Sequence, residues 1–102
     1  MKIYNKLARD KAVHIMKATG RKASARILNE DEYITALRAK LQEEVEEFLT
    51  DDTVEELADI LEVVHALAKT HHITPRELET IRASKARVWG EFRDRVFLER
   101  EE

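Results

Sequence analysis

The segment LQEEVEEFLTDDTVEELADILEV, residues 41–63, limits the possible folds of this chain more than any other part of the sequence. Ten of the twenty residues from Glu43 to Glu62 are acidic, and none of the twenty is lysine or arginine. Apolar residues recur in the segment at helical spacing, and like charges at the same spacing repel by roughly a few tenths of a kcal/mol. The segment therefore predicts two helices that need positive charge supplied from elsewhere in the chain or from a partner.

The apolar residues form one stripe on each of these two helices. The second helix of the chain carries Ile34, Leu37, Leu41, Val45 and Phe48, and the third carries Leu57, Ile60, Leu61, Val64, Leu67 and Ala68. Only a short turn separates the two helices, so they should pack antiparallel along their stripes. The centre of the fold is predicted to be this antiparallel helix pair.

The remaining pattern predicts an all-α fold in a single domain over residues 1–102, because the chain holds only two glycines and one proline. The four predicted helices cover about 5–19, 29 or 31 to 49, 53 onward and 74 to about 90. Gly20 is expected to close the first helix, since glycine readily adopts the left-handed conformation found there. The segments ARIL (25–28) and RVFL (95–98) also suggest a short two-stranded pairing.

Two helix starts have clear capping signals. Thr53 is predicted to cap the third helix, with Glu56 completing a capping box. The sequence TPRE places Thr74 as the cap of the fourth helix, Pro75 at its first position and Glu77 as the second capping-box residue.

Composition excludes several classes of protein. The chain has 102 residues, 18 basic and 21 acidic side chains and no cysteine, which rules out a disulfide scaffold or a thiolate metal site. Its weak negative charge argues against binding a nucleic-acid polymer, and we expect neither a signal peptide nor a membrane span. A cytoplasmic location is the expectation. Few aromatic residues and a small core favour a homodimer or a dimer of dimers.

Four acids lie on matching flanks of the two stripes: Glu44, Glu47, Glu56 and Asp59. This placement follows from about 100° of rotation per residue, and it brings the four carboxylates together at the border of the core in an antiparallel pair. Glu43 and Glu46 are predicted to point well away from this position. The sequence thus predicts a cluster of four carboxylates contributed by two helices.

Such a cluster cannot stay ionised and dry without a cation, and an all-oxygen ligand set suits Mg²⁺ or Mn²⁺ rather than zinc or copper. Mg²⁺ also keeps open positions for substrate phosphates. The plainer interpretation is a solvated acidic helix face, on which Glu56 is only a capping residue. Helix geometry alone leaves both interpretations open.

Positive charge for a phosphate ligand is expected from the two ends of the chain. Lys85 lies within about 20° of the centre of the apolar stripe on the fourth helix. Lys11 lies similarly on the first helix, between Leu7 and Ile15. A single lysine so placed usually packs its stem and extends its charge into water, but two of them beside an acidic site favour phosphate binding. Trp89 is expected either to stack on a base or to belong to a core or interface.

The pattern EEVEE followed by EELAD is similar to the EExxE…ExxD signature of the all-α nucleoside triphosphate pyrophosphohydrolases, the superfamily that includes MazG, phosphoribosyl-ATP pyrophosphohydrolase and dimeric dUTPases. The opening YNKLARDK and the closing KARVWGEF, followed by RVFL, resemble the ends of a small MazG-like branch described as house-cleaning enzymes. The resemblance covers almost the whole chain and implies a MazG-like helical bundle. The chain departs from the branch at Ala8, at Val13 and in the run VWGEF.

This resemblance implies Mg²⁺-dependent cleavage of a nucleotide between its α- and β-phosphates, which gives a monophosphate and pyrophosphate. It places Glu44, Glu47, Glu56 and Asp59 at the metal-ligand positions. One glutamate would take the proton of the attacking water, and Glu44 and Glu47 are both candidates. The opening run matches phosphate-contacting positions, so Lys6, Arg9 and Lys11 join Lys85 as candidate substrate-binding residues.

Three alternatives are kept beside this hypothesis. A phosphoribosyl-ATP pyrophosphohydrolase would share the chemistry and differ in its substrate. A di-iron helical bundle is suggested by the pair Glu62 and His65, but both residues fall far from the apolar side of their helix, whereas such ligands must point inward. A non-enzymatic helical module could instead use its acidic patch to bind a basic partner.

Overall fold

The computed structural model describes all 102 residues and contains four α-helices and no strand. The helices are α1 (Ala12–Ala18), α2 (Glu30–Asp51), α3 (Val54–Thr70) and α4 (Pro75–Trp89). The all-α prediction is therefore confirmed. None of the four helices has the length and apolar content needed to cross a membrane.

The predicted pairing of residues 25–28 with 95–98 is wrong within this chain. Residues 21–29 and 90–102 form neither helix nor strand, and Ile27 and Phe97 are almost fully exposed. An isolated two-stranded ribbon is only marginally stable in water unless another layer covers one of its faces. No helix of the chain covers either segment, which explains why they stay unpaired.

Helix α1 is shorter than predicted, because it begins at Ala12 instead of near Asn5. Lys11 stands at its start and supplies no side-chain cap. The preceding residues are held in a non-helical path by ion pairs from Lys6 to α2 and from Arg9 to α3. The end of α1 is as predicted, since Gly20 follows it with a φ of +82°.

Capping explains the starts of the three longer helices. The Asn29 side chain accepts from the Glu32 amide, and the Glu32 carboxylate accepts from the Asn29 amide. Thr74 and Glu77 form the predicted capping box of α4 in the same reciprocal way. Thr53 accepts from the amide of Glu56, but the predicted box is only half formed. The Glu56 carboxylate lies instead among other acids.

Helices α2 and α3 form the predicted antiparallel pair, and α4 packs on α3, while α1 packs closely on no other helix. The buried apolar residues are Leu37 of α2 and Val63 and Ala68 of α3. The predicted stripe of α3 is therefore rotated, since Val63 is buried while Leu57 and Leu61 are exposed. The packed side of α3 is therefore displaced from the predicted stripe toward Val63.

The single chain leaves an unusually large surface in water. Its Cα radius of gyration is 17.8 Å, whereas about 13 Å is typical of a compact domain of this length. Its accessible surface is 9733 Å², compared with about 5,900 Å² expected for a folded monomer of this mass. Many large apolar side chains are consequently open to solvent in one chain.

Asp52 ends α2 in the left-handed conformation, with φ 51° and ψ 50°. We expect Asp52→Gly to stabilise the fold by about 0.5–1 kcal/mol, because glycine adopts this conformation without steric cost and the change removes an anion from the C-terminal end of the helix dipole. Thermal unfolding at fixed protein concentration measures the effect. Asp52→Ala is the matched control, since it removes the same charge but keeps a Cβ; a lower melting temperature for Asp52→Gly than for Asp52→Ala would contradict the account.

Candidate functional site

Five carboxylates of α2 and α3, here called the acidic cluster, lie together beside the buried side chains. In one group Glu43, Glu44 and Glu47 each place a carboxylate oxygen within 4.8 Å of the others, and in a second group Glu44, Glu56 and Asp59 do the same. The structure thus brings together the four acids that the sequence singled out, with Glu44 shared between the groups. Their role as metal ligands stays a prediction.

Glu43 was predicted to point away from the cluster, and this is wrong. It is half-buried, and its two carboxylate oxygens accept from Lys6 Nζ at 2.6 Å and from Lys40 Nζ at 3.4 Å. The error arises because the prediction used only the rotation of Glu43 around the axis of α2. Glu43 lies four residues before Glu47 on α2, a spacing that brings their side chains together, and Lys6 of the N-terminal segment pairs with it.

Glu44 is the one charged residue of the chain that is buried, with 6% of its surface exposed. Its Oε1 lies 3.0 Å from Lys40 Nζ. Its Oε2 is fully enclosed and has no hydrogen-bond partner, and Oε2 of Glu56 is in the same condition. Burying a polar oxygen without a partner is costly, and native proteins seldom tolerate it without a bound ion or water. Two such oxygens in one cluster favour the binding of a cation or a water molecule there.

The cluster raises the pKa of two of its members. Burial, with the nearby carboxylates of Glu47 and Glu44, raises the pKa of Glu56 from 4.5 to about 7. The negative charge of Glu44 is the main cause that raises the pKa of Glu47, and burial adds to it. In the metal-free protein Glu56 therefore keeps its proton up to nearly neutral pH.

We expect the metal-free protein to lose stability as pH rises from about 5 to about 7. The folded state binds the Glu56 proton more tightly than the unfolded state, so this contribution is fully present below pH 4.5 and disappears as pH rises through about 7. Urea unfolding between pH 5 and 8, with a chelator present, measures it. Glu56→Gln should flatten the slope, because it removes the group whose pKa is raised. An unchanged slope in Glu56→Gln would contradict the prediction.

Basic side chains from outside the acidic segment supply the charge that the sequence required. Arg9 Nη2 donates to Asp59 Oδ1 at 2.7 Å, and Lys6 binds Glu43. Lys40, in the turn of α2 before the cluster, lies against Glu43 and Glu44. Lys40 was not among the predicted residues, although its spacing of three and four residues from these acids is that of helical ion pairs.

The other predicted residues lie apart from these contacts. Lys11 and Lys85 are exposed, and neither side chain makes a hydrogen bond or an ion pair. The apolar stripe of α4 around Lys85 is open in the single chain, and Trp89 is exposed at its end. Glu62 and His65 belong to neither group of converging acids, so no geometry here favours a di-iron site.

The residues present fit a hard divalent cation. The ligand atoms that converge are all carboxylate oxygens, which Mg²⁺ and Mn²⁺ prefer. Glu44 and Glu56 each keep one enclosed oxygen free to bind it. Glu47 and Asp59 flank these two, and Lys6 and Arg9 stand at the edge with exposed side chains. The arrangement can bind a cation at its centre and anionic groups at its rim.

Comparison with known proteins assigns no activity. No protein-family model matches the chain, and no solved structure matches it. An uncharacterized protein of Mycolicibacterium smegmatis (strain ATCC 700084 / mc(2)155) is 47% identical over 47 residues, which are 46% of this chain and 48% of that protein. The chain therefore spans about half the length of this curated relative.

Proposed function

We propose that the protein is a Mg²⁺-dependent nucleotide pyrophosphohydrolase with a MazG-like helical bundle. It would hydrolyse a nucleoside triphosphate or a related nucleotide between the α- and β-phosphates, in the house-cleaning of non-standard nucleotides. The observation that carries the proposal is the pair of enclosed oxygens without partners, Glu44 Oε2 and Glu56 Oε2, inside a cluster of carboxylates. The similarity of EEVEE and EELAD to the pyrophosphohydrolase signature supports it.

Glu44, Glu47, Glu56 and Asp59 would hold the cation. When bound, Mg²⁺ would neutralise negative charge on the phosphate oxygens. Mn²⁺ could substitute for it. Lys40 fixes Glu44 by binding Oε1, so that Oε2 faces the cluster. This role of Lys40 would keep the buried carboxylate in a single orientation.

Glu47 is better placed than Glu44 to act as the general base. Glu44 is almost completely buried and tied to Lys40, which suits a ligand, whereas Glu47 is half-buried at the border of the cluster. Glu47 would take a proton from water, the water oxygen would bond to phosphorus, and the α–β anhydride bond would break with pyrophosphate as the leaving group.

Lys6 and Arg9 are the basic residues that the structure holds beside the acids, and we assign them to the phosphates. Both side chains are substantially exposed, so each can reach a phosphate oxygen while the cluster stays folded. Lys11 and Lys85 remain candidate substrate-binding residues on the resemblance and on their helical positions. They make no contact with the acidic cluster in one chain.

The test is a hydrolysis assay with purified protein, Mg²⁺ and separate nucleotides. Standard and non-standard nucleoside triphosphates and phosphoribosyl-ATP are each supplied, and phosphate is detected with and without added inorganic pyrophosphatase. We expect a signal that requires both Mg²⁺ and the added pyrophosphatase, because the product is pyrophosphate. Absence of that signal for every nucleotide, or its persistence in a chelator, would overturn the proposal.

A helical module that binds a basic protein partner is the second candidate. The ion pairs of Lys6 and Arg9 favour it, since the acidic cluster already accepts a basic segment of its own chain. The same assay separates the two functions. The interaction module predicts no pyrophosphate and no stabilisation by Mg²⁺.

We also propose a homodimer or a dimer of dimers, in which a second copy covers the open apolar side of α2 and α3. Val45, Leu49, Leu57 and Leu61 are exposed there in one chain. The large accessible surface of the chain supports this assembly, because a standard interface removes about 800 Å² per partner.

Light scattering at micromolar concentration is expected to give two or four times the chain mass of 11.9 kDa. Leu61→Glu should shift the protein toward the monomer, since it places a charge on the apolar side. Thr80→Glu on exposed α4 is the control and should leave the mass unchanged. A stable monomer for the unmodified protein would contradict the proposed assembly.

A further inference from the structure

Two segments outside the helices make almost no backbone–backbone hydrogen bonds. Residues 22–28 make no backbone–backbone hydrogen bond, and residues 91–102, here called the C-terminal arm, make one, from the Arg95 amide to the Phe92 carbonyl. Both segments lack regular structure. Backbone donors and acceptors left free in this way can pair with another extended segment.

The same segments expose apolar side chains that water solvates poorly. Ile27, Phe92, Val96, Phe97 and Leu98 are each between 82% and 99% exposed. Such continuous exposure usually marks a surface that another molecule covers. The partner has to offer both apolar side chains and free backbone groups.

The chain itself contains two segments that complement each other. Residues 21–28 carry three basic and no acidic side chains, while residues 99–102 carry three acidic and one basic. An antiparallel register that opposes Ile27 with Val96 also opposes Ala25 with Leu98, and these four share one apolar side. The same register opposes Lys22 with Glu101.

We infer that the C-terminal arm of one copy pairs antiparallel with residues 21–28 of a second copy, and the reverse, as a reciprocal arm exchange. The segments stay unpaired within one chain, whereas a twofold dimer satisfies both pairs at once. The single-chain surface exceeds that of a typical folded monomer by roughly 3,800 Å², which leaves ample area for exchanged arms. This inference does not depend on the proposed enzymatic activity.

Disulfide trapping tests the exchange, because the chain has no native cysteine. Ser24 and Glu99 are opposed in the proposed register, and opposed Cα atoms lie within the roughly 4.4–6.8 Å that a disulfide spans. A tagged Ser24→Cys chain and an untagged Glu99→Cys chain are co-expressed and mildly oxidised. Electrophoresis without reductant should then show a mixed disulfide dimer in several-fold excess over either homodimer.

The Arg100→Cys chain is the matched control, since residue 100 points to the opposite side of the arm from residue 99. It should link to Ser24→Cys several-fold less. Equal linking of the two variants, or no linking by Glu99→Cys, would overturn the register and the exchange.

The double variant Ser24→Cys/Glu99→Cys distinguishes pairing between two copies from pairing within one chain. Exchange predicts covalently linked dimers, whereas pairing within one chain predicts internally linked monomers of increased mobility, which would overturn the inference. Charge reversal is an independent test. Lys22→Glu and Glu101→Lys should each raise the dimer dissociation constant about two- to five-fold, and the variant that combines them should restore it. Additive losses in the combined variant would contradict the pairing.

Discussion

Glu44→Gln is expected to reduce nucleotide hydrolysis by at least about a hundredfold. Replacing a residue that only supports a metal ligand typically costs 10- to 100-fold, so the loss of a direct ligand should cost no less. The amide keeps the shape and one oxygen of the carboxylate, but it removes the charge that would attract the cation. The enclosed Oε2 of Glu44 is the atom on which this prediction depends.

The same variant should respond differently to Mg²⁺ in thermal unfolding. A cation that binds only the folded state raises the melting temperature by mass action, and Glu44→Gln should shrink this shift. Without metal the variant should be as stable as the parent or slightly more so, since one of five neighbouring negative charges is gone. Lys40 keeps Glu43 as a partner in the variant.

Glu46→Gln is the matched control, because Glu46 is exposed on the same helix and contacts only Gln42 and Thr50 through hydrogen bonds. It should retain both hydrolysis and the Mg²⁺-dependent shift. A Glu44→Gln protein that keeps the activity and the shift would remove the acidic cluster from the proposed mechanism. A Glu44→Gln protein that is much less stable without metal would show that the carboxylate is a structural partner of Lys40.

Local signals in the sequence predicted the helix ends well. The Thr74–Glu77 capping box, the cap at Thr53 and the left-handed Gly20 all depend on residues three or four positions apart. Interactions of this range are complete within one turn of helix, so the rest of the fold does not alter them.

The errors concern contacts between residues distant in sequence. The start of α1 was predicted too early because the ion pair from Arg9 to Asp59 joins residues fifty positions apart. The rotation of α3 was missed because the side that packs depends on how α2 and α3 fit together, which the spacing of apolar residues along one helix does not fix. The ion pair from Lys6 to Glu43 was missed for the same reason, since it joins residues 37 positions apart.

The site was predicted better than the core around it. Glu44, Glu47, Glu56 and Asp59 converge because each is fixed by its distance from one short turn, and that distance is legible in the sequence. The buried residues were less predictable, since the buried side of α3 depends on how the surfaces of α2 and α3 fit together.

Leu37→Ala is expected to destabilise the fold by about 3–5 kcal/mol, the range for a leucine truncated in a well-packed core. Leu37 is 2% exposed, the lowest value among the three buried apolar residues. Since small domains unfold with about 5–15 kcal/mol in total, the variant should be largely unfolded at moderately raised temperature. Urea unfolding followed by circular dichroism measures the loss.

Leu49→Ala gives the informative comparison, because Leu49 lies on the same helix and is 74% exposed in one chain. If the chain folds alone, this change should be nearly neutral; if a second copy covers α2 and α3, the loss should grow as the protein is diluted through the dissociation range. The loss in Leu37→Ala should instead persist at every concentration, since that side chain is already enclosed by its own chain. Equal losses in both variants at every concentration would mean that Leu49 is buried without a second copy. A small loss in Leu37→Ala would mean that the core between α2 and α3 contributes little to stability.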